Sequence, residues 1–493
     1  MKTSRGRIFR GAVSRARFTT PCIITSIVAG SVWLVACSGD DATTANTAGT
    51  GGGASGSGSS TPPTDPDVVS SDPNAASADA PTYYRDVLPV FAQKCVGCHQ
   101  EGGIAPFALD DYEAARARGT QIADYTENRV MPPYGIQPGG ACGSFDESRM
   151  LTPDQIALIG AWGRGDRAEG TPASVALPPL PALDGATDFA LPNFTPQVDG
   201  SEIALFDEYR CFLVDPNATE LAFVTGYDVL PGAPAIVHHV LAFIVDPNAP
   251  SRDGRSNAEV MQALHDTDPN PEREGWSCFG AAGEGVDVES SPVAWGPGQG
   301  VIEYPGNIGV PLAPGRQIVV QVHYNLADAS NIGLSDQTRL RLRLQPSVPR
   351  AAAFALEDPL LDSLYDGQPT TLEPGQSSVK YIWERSGADI GVPPGAELGL
   401  VAIMPHMHAL GHKYTFEVDN GNGYECQGQI DRWDFNWQHM YQYTQPLTFN
   451  ANTRVRVTCD FDTLGATEPV TPGWGTRNEM CLATMMLALP GAQ

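Results

Sequence analysis

The stretch MPHMHALGH, residues 404 to 412, places three of the nine histidines of the chain and two methionines close together. Imidazole nitrogens and thioether sulfurs are suitable ligands for copper. In a β-strand His406 and His408 point to the same face, so both rings can reach one ion. The stretch therefore predicts a metal site, and the alternative is that these side chains belong to an ordinary polar loop or strand.

Two further segments contain clustered histidines. AIVHHVLAFIV contains His238 and His239, and VVQVHYN contains His323. Adjacent residues of a regular strand point to opposite faces, so the first pair can bind one ion only where the strand ends or bulges. His323 would then supply a third nitrogen. By contrast, His265 and His439 are predicted to be surface or loop residues.

A different metal-binding pattern occurs earlier in the chain. Cys95, Cys98 and His99 form the C-x-x-C-H pattern typical of covalent attachment of a c-type heme. The alternative is a redox or zinc-binding cysteine pair followed by an unrelated histidine. Met131, which two prolines follow in NRVMPPYG, is the predicted second axial ligand, and ligation by histidine and methionine suits electron transfer.

The segment 83–172 around this motif resembles a small α-helical cytochrome c domain. YYRDVLPVFAQ has apolar residues at helical spacing before the motif. LTPDQIALIGAWGRG predicts a closing helix, in which Thr152 is the N-cap and Pro153 is the first helical residue.

The rest of the chain has the pattern of a β protein. RQIVVQVHYNL, RLRLRLQ and TRVRVTC alternate with a period of two residues, whereas long helical patterns are absent. The predicted fold class is therefore mainly β, with two tandem antiparallel jelly-roll or β-sandwich domains, 190–347 and 348–493, after the helical domain.

Four motifs of this β-rich part, VHHVLAF, QVHYN, PHMHALG and NEMCLATMM, resemble the copper type II, ascorbate-dependent monooxygenases in both kind and order. The resemblance covers roughly residues 195–493. It implies two copper ions, with O2 as co-substrate and ascorbate as electron donor. The fused heme or a redox protein would be the alternative source of electrons. By the same resemblance, the first copper, which transfers electrons, would be bound by His238, His239 and His323. The second copper, at which O2 reacts with a C–H bond, would be bound by His406, His408 and Met480.

The resemblance also implies two disulfide bonds, Cys211 with Cys278 and Cys459 with Cys481. Cys142 and Cys426 remain. A bond between them would join the heme segment to the second copper domain, and the sequence leaves this open.

Two positions depart from the peptide-amidating members of the family, in which an Arg and a Tyr hold the carboxylate of the substrate. The present chain has Met404 and Thr484 there. The expected substrate is therefore a small, non-peptide molecule.

The N-terminus has the pattern of an export signal. Residues 1–36 combine a basic start with an apolar run, and LVAC, which ends at Cys37, resembles a lipobox that implies lipidation of this cysteine. An ordinary signal peptide or a short membrane anchor is the alternative. Residues 37–82 are rich in Gly, Ser, Thr and Pro, as a flexible linker is. We therefore expect an exported, membrane-anchored lipoprotein facing the periplasm or the cell surface.

The formal net charge of −27 argues against nucleic acid as a partner. Taken together, these patterns predict a copper-dependent monooxygenase that acts on a small molecule and has its own heme. The alternative is a non-catalytic copper- and heme-binding electron-transfer lipoprotein.

Overall fold

The computed structural model describes residues 80–101, 105–146, 150–177, 182–198, 206–251, 254–279, 281–297 and 299–489. The predicted signal peptide, Cys37 and most of the predicted linker lie outside these residues. The described part of the chain is mainly β, and none of its helices is long and apolar enough to cross a membrane.

A small helical unit comes first. A π-helical turn, Tyr83–Val87, leads into four helices: α1 (Leu88–Lys94), α2 (Tyr112–Ala117), α3 (Gly119–Glu127) and α4 (Pro153–Arg164). As predicted, α4 begins after Thr152, whose hydroxyl accepts a hydrogen bond from the backbone N–H of Gln155, while the Gln155 side chain accepts from the N–H of Thr152. Phe91 and Trp162 are buried in the core of this unit, with their ring centroids 6.4 Å apart.

Eighteen strands are described after this unit: β1 (Ala186–Ala190), β2 (Asp207–Val214), β3 (Ala222–Leu230), β4 (Val237–Val245), β5 (Trp276–Ser277), β6 (Ser290–Trp295), β7 (Ile302–Glu303), β8 (Ile308–Leu312), β9 (Gln317–Asn325), β10 (Arg339–Gln345), β11 (Arg350–Glu357), β12 (Val379–Ser386), β13 (Glu397–His406), β14 (Gly411–Asp419), β15 (Glu425–Ile430), β16 (Tyr441–Asn450), β17 (Arg454–Phe461) and β18 (Leu482–Ala488). They form two sandwiches. The first packs the sheet β5-β2-β9-β4-β6 against β1-β10-β3-β8, and the second packs β11-β18-β13-β16 against β12-β17-β14-β15.

The two sandwiches share one continuous sheet. β8 of the first pairs in parallel with β11 of the second, where Ile308 lies opposite Arg350. The apolar core of the first sandwich also includes Val401 and Met486 from the second. The predicted tandem domains are therefore joined along a sheet edge as well as by the chain, which positions their facing ends relative to each other.

Two helices lie within the β-rich part, where the sequence analysis expected no long helical pattern: α5 (Asn257–Asp266) and α6 (Pro359–Tyr365). α5 begins with a reciprocal pair of hydrogen bonds between Ser256 and Glu259. Its Met261 packs in a small core with Phe243 and Trp276. This helix covers the outer face of one sheet. Its apolar stripe is short, so the sequence pattern did not predict it among the strands.

Part of the predicted heme segment packs into the second sandwich. Ile136 pairs with Ile430, and Phe145 stacks on Tyr443 with ring centroids 4.5 Å apart. The disulfide that the sequence left open, Cys142 to Cys426, lies in the same region. The helical unit is therefore attached to the second sandwich through residues 134–146.

Candidate metal sites

The first histidine cluster lies where β4 pairs with β9. His239 is opposite His323, and the register shifts between Val237 and His239. This bulge at His238 is the irregularity that two adjacent histidines need in order to bind one ion. It turns both neighbouring side chains toward His323.

Three imidazole nitrogens converge in this cluster. The Nδ1 atom of His239 lies 3.4 Å from Nδ1 of His238 and 3.2 Å from Nδ1 of His323. Two nitrogens that bind one ion at about 2 Å each are about 3 to 3.5 Å apart, so the spacing matches a metal site. The donor set is purely imidazole, which suits copper.

A carboxylate orients this cluster from behind. Nε2–H of His323 donates to Oδ1 of Asp207 at 3.0 Å, so the Nδ1 lone pair faces the other histidines. Asp207 also accepts hydrogen bonds from Asn325 and from the Thr476 hydroxyl, at 2.8 and 3.0 Å. Tyr209 stacks on the His323 ring with centroids 4.0 Å apart. The sequence analysis missed Asp207, because an acidic residue in a strand that also contains Glu208 and Arg210 gives no distinct signal.

Replacing Asp207 by Asn is expected to weaken copper binding at the first cluster by about 10- to 100-fold, because the amide no longer offers a charged acceptor to Nε2–H of His323. A competition titration with a copper chelator measures this effect. Asp215 lies outside the cluster, and its carboxylate accepts from the backbone N–H of nearby Asn217, so Asp215→Asn is the matched control. Equal copper affinity in the Asp207 variant and the wild type would contradict the assigned role.

The second histidine cluster lies at the end of β13. His406 is the last residue of the strand and pairs with Leu482 of β18, and His408 follows just beyond it. Nδ1–H of His406 donates to Oε1 of Gln438 at 2.7 Å, and Nδ1–H of His408 donates to the Asn478 carbonyl at 2.9 Å. Both rings therefore keep the Nε2 lone pair for a ligand, and their centroids are 5.0 Å apart.

Met480 lies in the segment that also contains Asn478, whose carbonyl accepts from His408. Its side chain is buried, and the neighbouring Glu479 carboxylate accepts from the backbone N–H groups of His408 and Leu410, at 2.9 and 2.6 Å. Burial raises the pKa of Glu479 to about 8. These hydrogen bonds hold the Met480 segment next to the chain that carries the histidines.

Burial keeps the histidines of both clusters neutral. Desolvation lowers the pKa of His238 and of His406 to about 4 and that of His408 to about 3. The same cause lowers the pKa of His239 and His323 well below the ordinary value. A neutral imidazole has the lone pair that a metal needs.

Copper binding is therefore expected to persist at pH 5.5, where histidines of ordinary pKa are mostly protonated, and to be lost as the pH falls toward 4. Lowering the pKa leaves the nitrogen unprotonated down to that lower pH, so proton competition begins late. Equilibrium dialysis at pH 7, 5.5 and 4 measures the retained copper. Half-loss of the metal near pH 6.5 would contradict the expectation.

The helical unit contains the residues of the predicted heme site. Cys95 and Cys98 are both half-buried, and neither is in a disulfide bond. The backbone N–H of His99 donates to the Cys95 carbonyl at 2.9 Å, and its Nδ1–H donates to the Phe107 carbonyl at 3.0 Å. This leaves Nε2 available to iron, so these residues fit a covalently attached heme. Met131 lies half-buried in the loop after α3, as predicted for a non-helical position.

The remaining histidines lie outside the two clusters. His265 is half-buried, and its Nδ1–H donates to the Gly275 carbonyl. His439 lies in a loop, as predicted, but it is only 3% exposed. It lines a cavity together with Ile302 of the first sandwich and Gln442 of the second. His412 lies in β14 and is exposed.

Comparisons with known proteins agree with the second site. Residues 392–489 match the family model described as "Copper type II ascorbate-dependent monooxygenase, C-terminal domain". This span includes His406, His408 and Met480. The match supports the resemblance for the second sandwich.

Curated relatives extend the similarity to about half of the chain. It is 24% identical over 260 residues to "DBH-like monooxygenase protein 1" of Gallus gallus, covering 51% of this chain and 39% of that protein. The protein of the same name from Mus musculus is 26% identical over 261 residues, again with 51% and 39% covered. "Tyramine beta-hydroxylase" of Caenorhabditis briggsae is 22% identical over 258 residues, which is 52% of this chain and 40% of that protein. The chain thus spans about two fifths of the length of these relatives.

Among solved structures, the tandem domain CBM22-1-CBM22-2 of a Paenibacillus barcinonensis protein aligns at 8% identity and a TM-score of 0.15, covering 57% of this chain and 81% of that one. A likeness of this size carries no argument. The class supported by the site and by the sequence relatives is that of the copper type II monooxygenases.

Proposed function

We propose that this protein is a copper-dependent monooxygenase that hydroxylates a C–H bond of a small, non-peptide substrate. The observation that carries the proposal is the convergence of three Nδ1 atoms in one cluster near a second cluster that presents two Nε2 atoms. Overall, substrate, O2, two electrons and two protons would give the hydroxylated product and water.

Bound copper would supply the one-electron chemistry and the reaction with O2. The chain itself selects which nitrogen of each ring faces the metal. Asp207 does so for His323, Gln438 for His406 and the Asn478 carbonyl for His408. These hydrogen bonds fix the orientation of the rings, so the chain itself preorganises the sites.

The absence of a carboxylate clamp supports a non-peptide substrate. Met404 lies directly opposite Thr484 in the pairing of β13 with β18, and both are buried. Met404 shares a face of its strand with His406, two residues on. Neither side chain carries a positive charge, so this face offers no partner to a peptide carboxylate.

We further propose that electrons come from ascorbate, from a redox protein or from heme held by Cys95, Cys98, His99 and Met131. The docking of the helical unit supports the last source. Nη2 of Arg432, in the second sandwich, donates to the carbonyl of Asn128 at 2.9 Å, three residues before Met131. The predicted heme ligand loop therefore lies against the sandwich that carries the second histidine cluster.

Export and lipid anchoring at Cys37 are also proposals. Three disulfide bonds support an oxidising compartment: Cys142–Cys426, Cys211–Cys278 and Cys459–Cys481. The last two are the pairs that the resemblance implied.

The test is a screen of small metabolites with copper-loaded protein, ascorbate and 18O2. We expect one compound to gain a single labelled oxygen, and copper-free protein to give no label. Oxidation of ascorbate without any labelled product would favour the electron-transfer lipoprotein instead.

A further inference from the structure

One loop of the second sandwich contacts both histidine clusters. This bridging loop, residues 431–440, is fastened to the second cluster at two points. Gln438 accepts from His406, as described above, and Nε1–H of Trp433 donates to the His408 carbonyl at 3.2 Å. These two hydrogen bonds hold the loop against the second cluster.

Phe435 extends from this loop to the first cluster. Its ring stacks on that of His238, with centroids 4.4 Å apart and planes 28° from parallel. The same ring meets His408 in an edge-on contact, with centroids 5.7 Å apart. A single phenyl ring thus touches one histidine of each cluster and occupies the space between them.

The backbone of Phe435 is held as well. Nε2–H of Gln438 donates to the Phe435 carbonyl at 2.9 Å, so the amide that orients His406 also fixes the loop tip. The phenyl ring of Phe435 is half-buried. A molecule that enters between the clusters must therefore displace this ring.

We infer that Phe435 is a gate: its ring closes the space between the two histidine clusters and limits which molecules reach His238 and His408. The inference deepens the proposed function, because a substrate would have to pass this ring. Its test needs neither copper nor turnover. The gate can therefore be refuted while the proposed function stands, and the proposed function can be refuted while the gate stands.

The test is chemical modification of metal-free protein by diethyl pyrocarbonate, which attacks accessible neutral imidazoles, followed by peptide mass spectrometry. In Phe435→Ala we expect His238 and His408 to react about fivefold faster than in the wild type, because an aromatic contact of this kind favours the closed state by about that factor. His265, which lies outside both clusters, is the internal reference. Trp437→Ala is the matched control, because Trp437 lies on the same loop but lines a different cavity, beside Val130 and Pro133.

Phe435→Trp keeps an aromatic gate and is expected to protect both histidines at least as well as Phe435. This second variant keeps the test decisive should the alanine variant unfold, as judged by circular dichroism. Wild-type reaction rates in Phe435→Ala, or exposure of both histidines in Phe435→Trp, would overturn the inference.

Discussion

Replacing His323 by Ala is expected to halve the copper content of the protein and to lower hydroxylation by about a thousandfold or more. His323 provides one of the three converging Nδ1 atoms, and its ring links the cluster to Asp207. Its loss removes a ligand and one of the hydrogen bonds that the buried Asp207 carboxylate accepts. Copper per chain by elemental analysis and product formation under 18O2 measure the two effects.

The matched control is His412→Ala. His412 is an exposed residue of β14, and its backbone carbonyl, which the substitution keeps, accepts from Trp433 N–H at 2.8 Å. This variant should retain both copper ions. Full copper content in His323→Ala would refute the first metal site, and equal losses in both variants would indicate general unfolding.

Replacing both Cys95 and Cys98 by Ala is expected to abolish covalently bound heme, because each thiol would form one thioether bond to the porphyrin. The measurement is heme staining of the denatured protein after expression with a c-type maturation system. The effect is all-or-none, since no cysteine of the motif remains to hold the group.

Copper content is the internal control for this double variant. Neither histidine cluster contains a residue of the C-x-x-C-H motif, so both copper ions should remain. Wild-type protein that carries zinc and no heme would instead establish the alternative interpretation of the cysteine pair.

Most of the candidate ligands could be predicted because they lie in short segments. The alternation of RQIVVQVHYNL predicted a strand, and His323 does lie in β9. The capped start of α4 was equally local. Such features depend on residues that are close together in the chain, within one or two helical turns or one strand pleat. The sequence pattern therefore shows them directly.

Features that depend on distant segments were missed or left open. The partner of Cys142 is 284 residues away, so only the docking of residues 134–146 on the second sandwich decides the pair. His439 lies in a loop, as predicted, but its burial, beside a cavity lined by residues of both sandwiches, was missed. Phe435 carried no local signal at all.

The sequence by itself determined the types of donor atom, their order along the chain and the requirement for a bulge beside His238. Only the tertiary structure decided which nitrogen of each ring faces its cluster, and that one phenyl ring touches both clusters. Donor chemistry belongs to the residue itself. The orientation of an imidazole depends on the hydrogen-bond acceptor at its other nitrogen, and here Asp207, Gln438 and Asn478 reach the rings through folding over 32 to 116 residues.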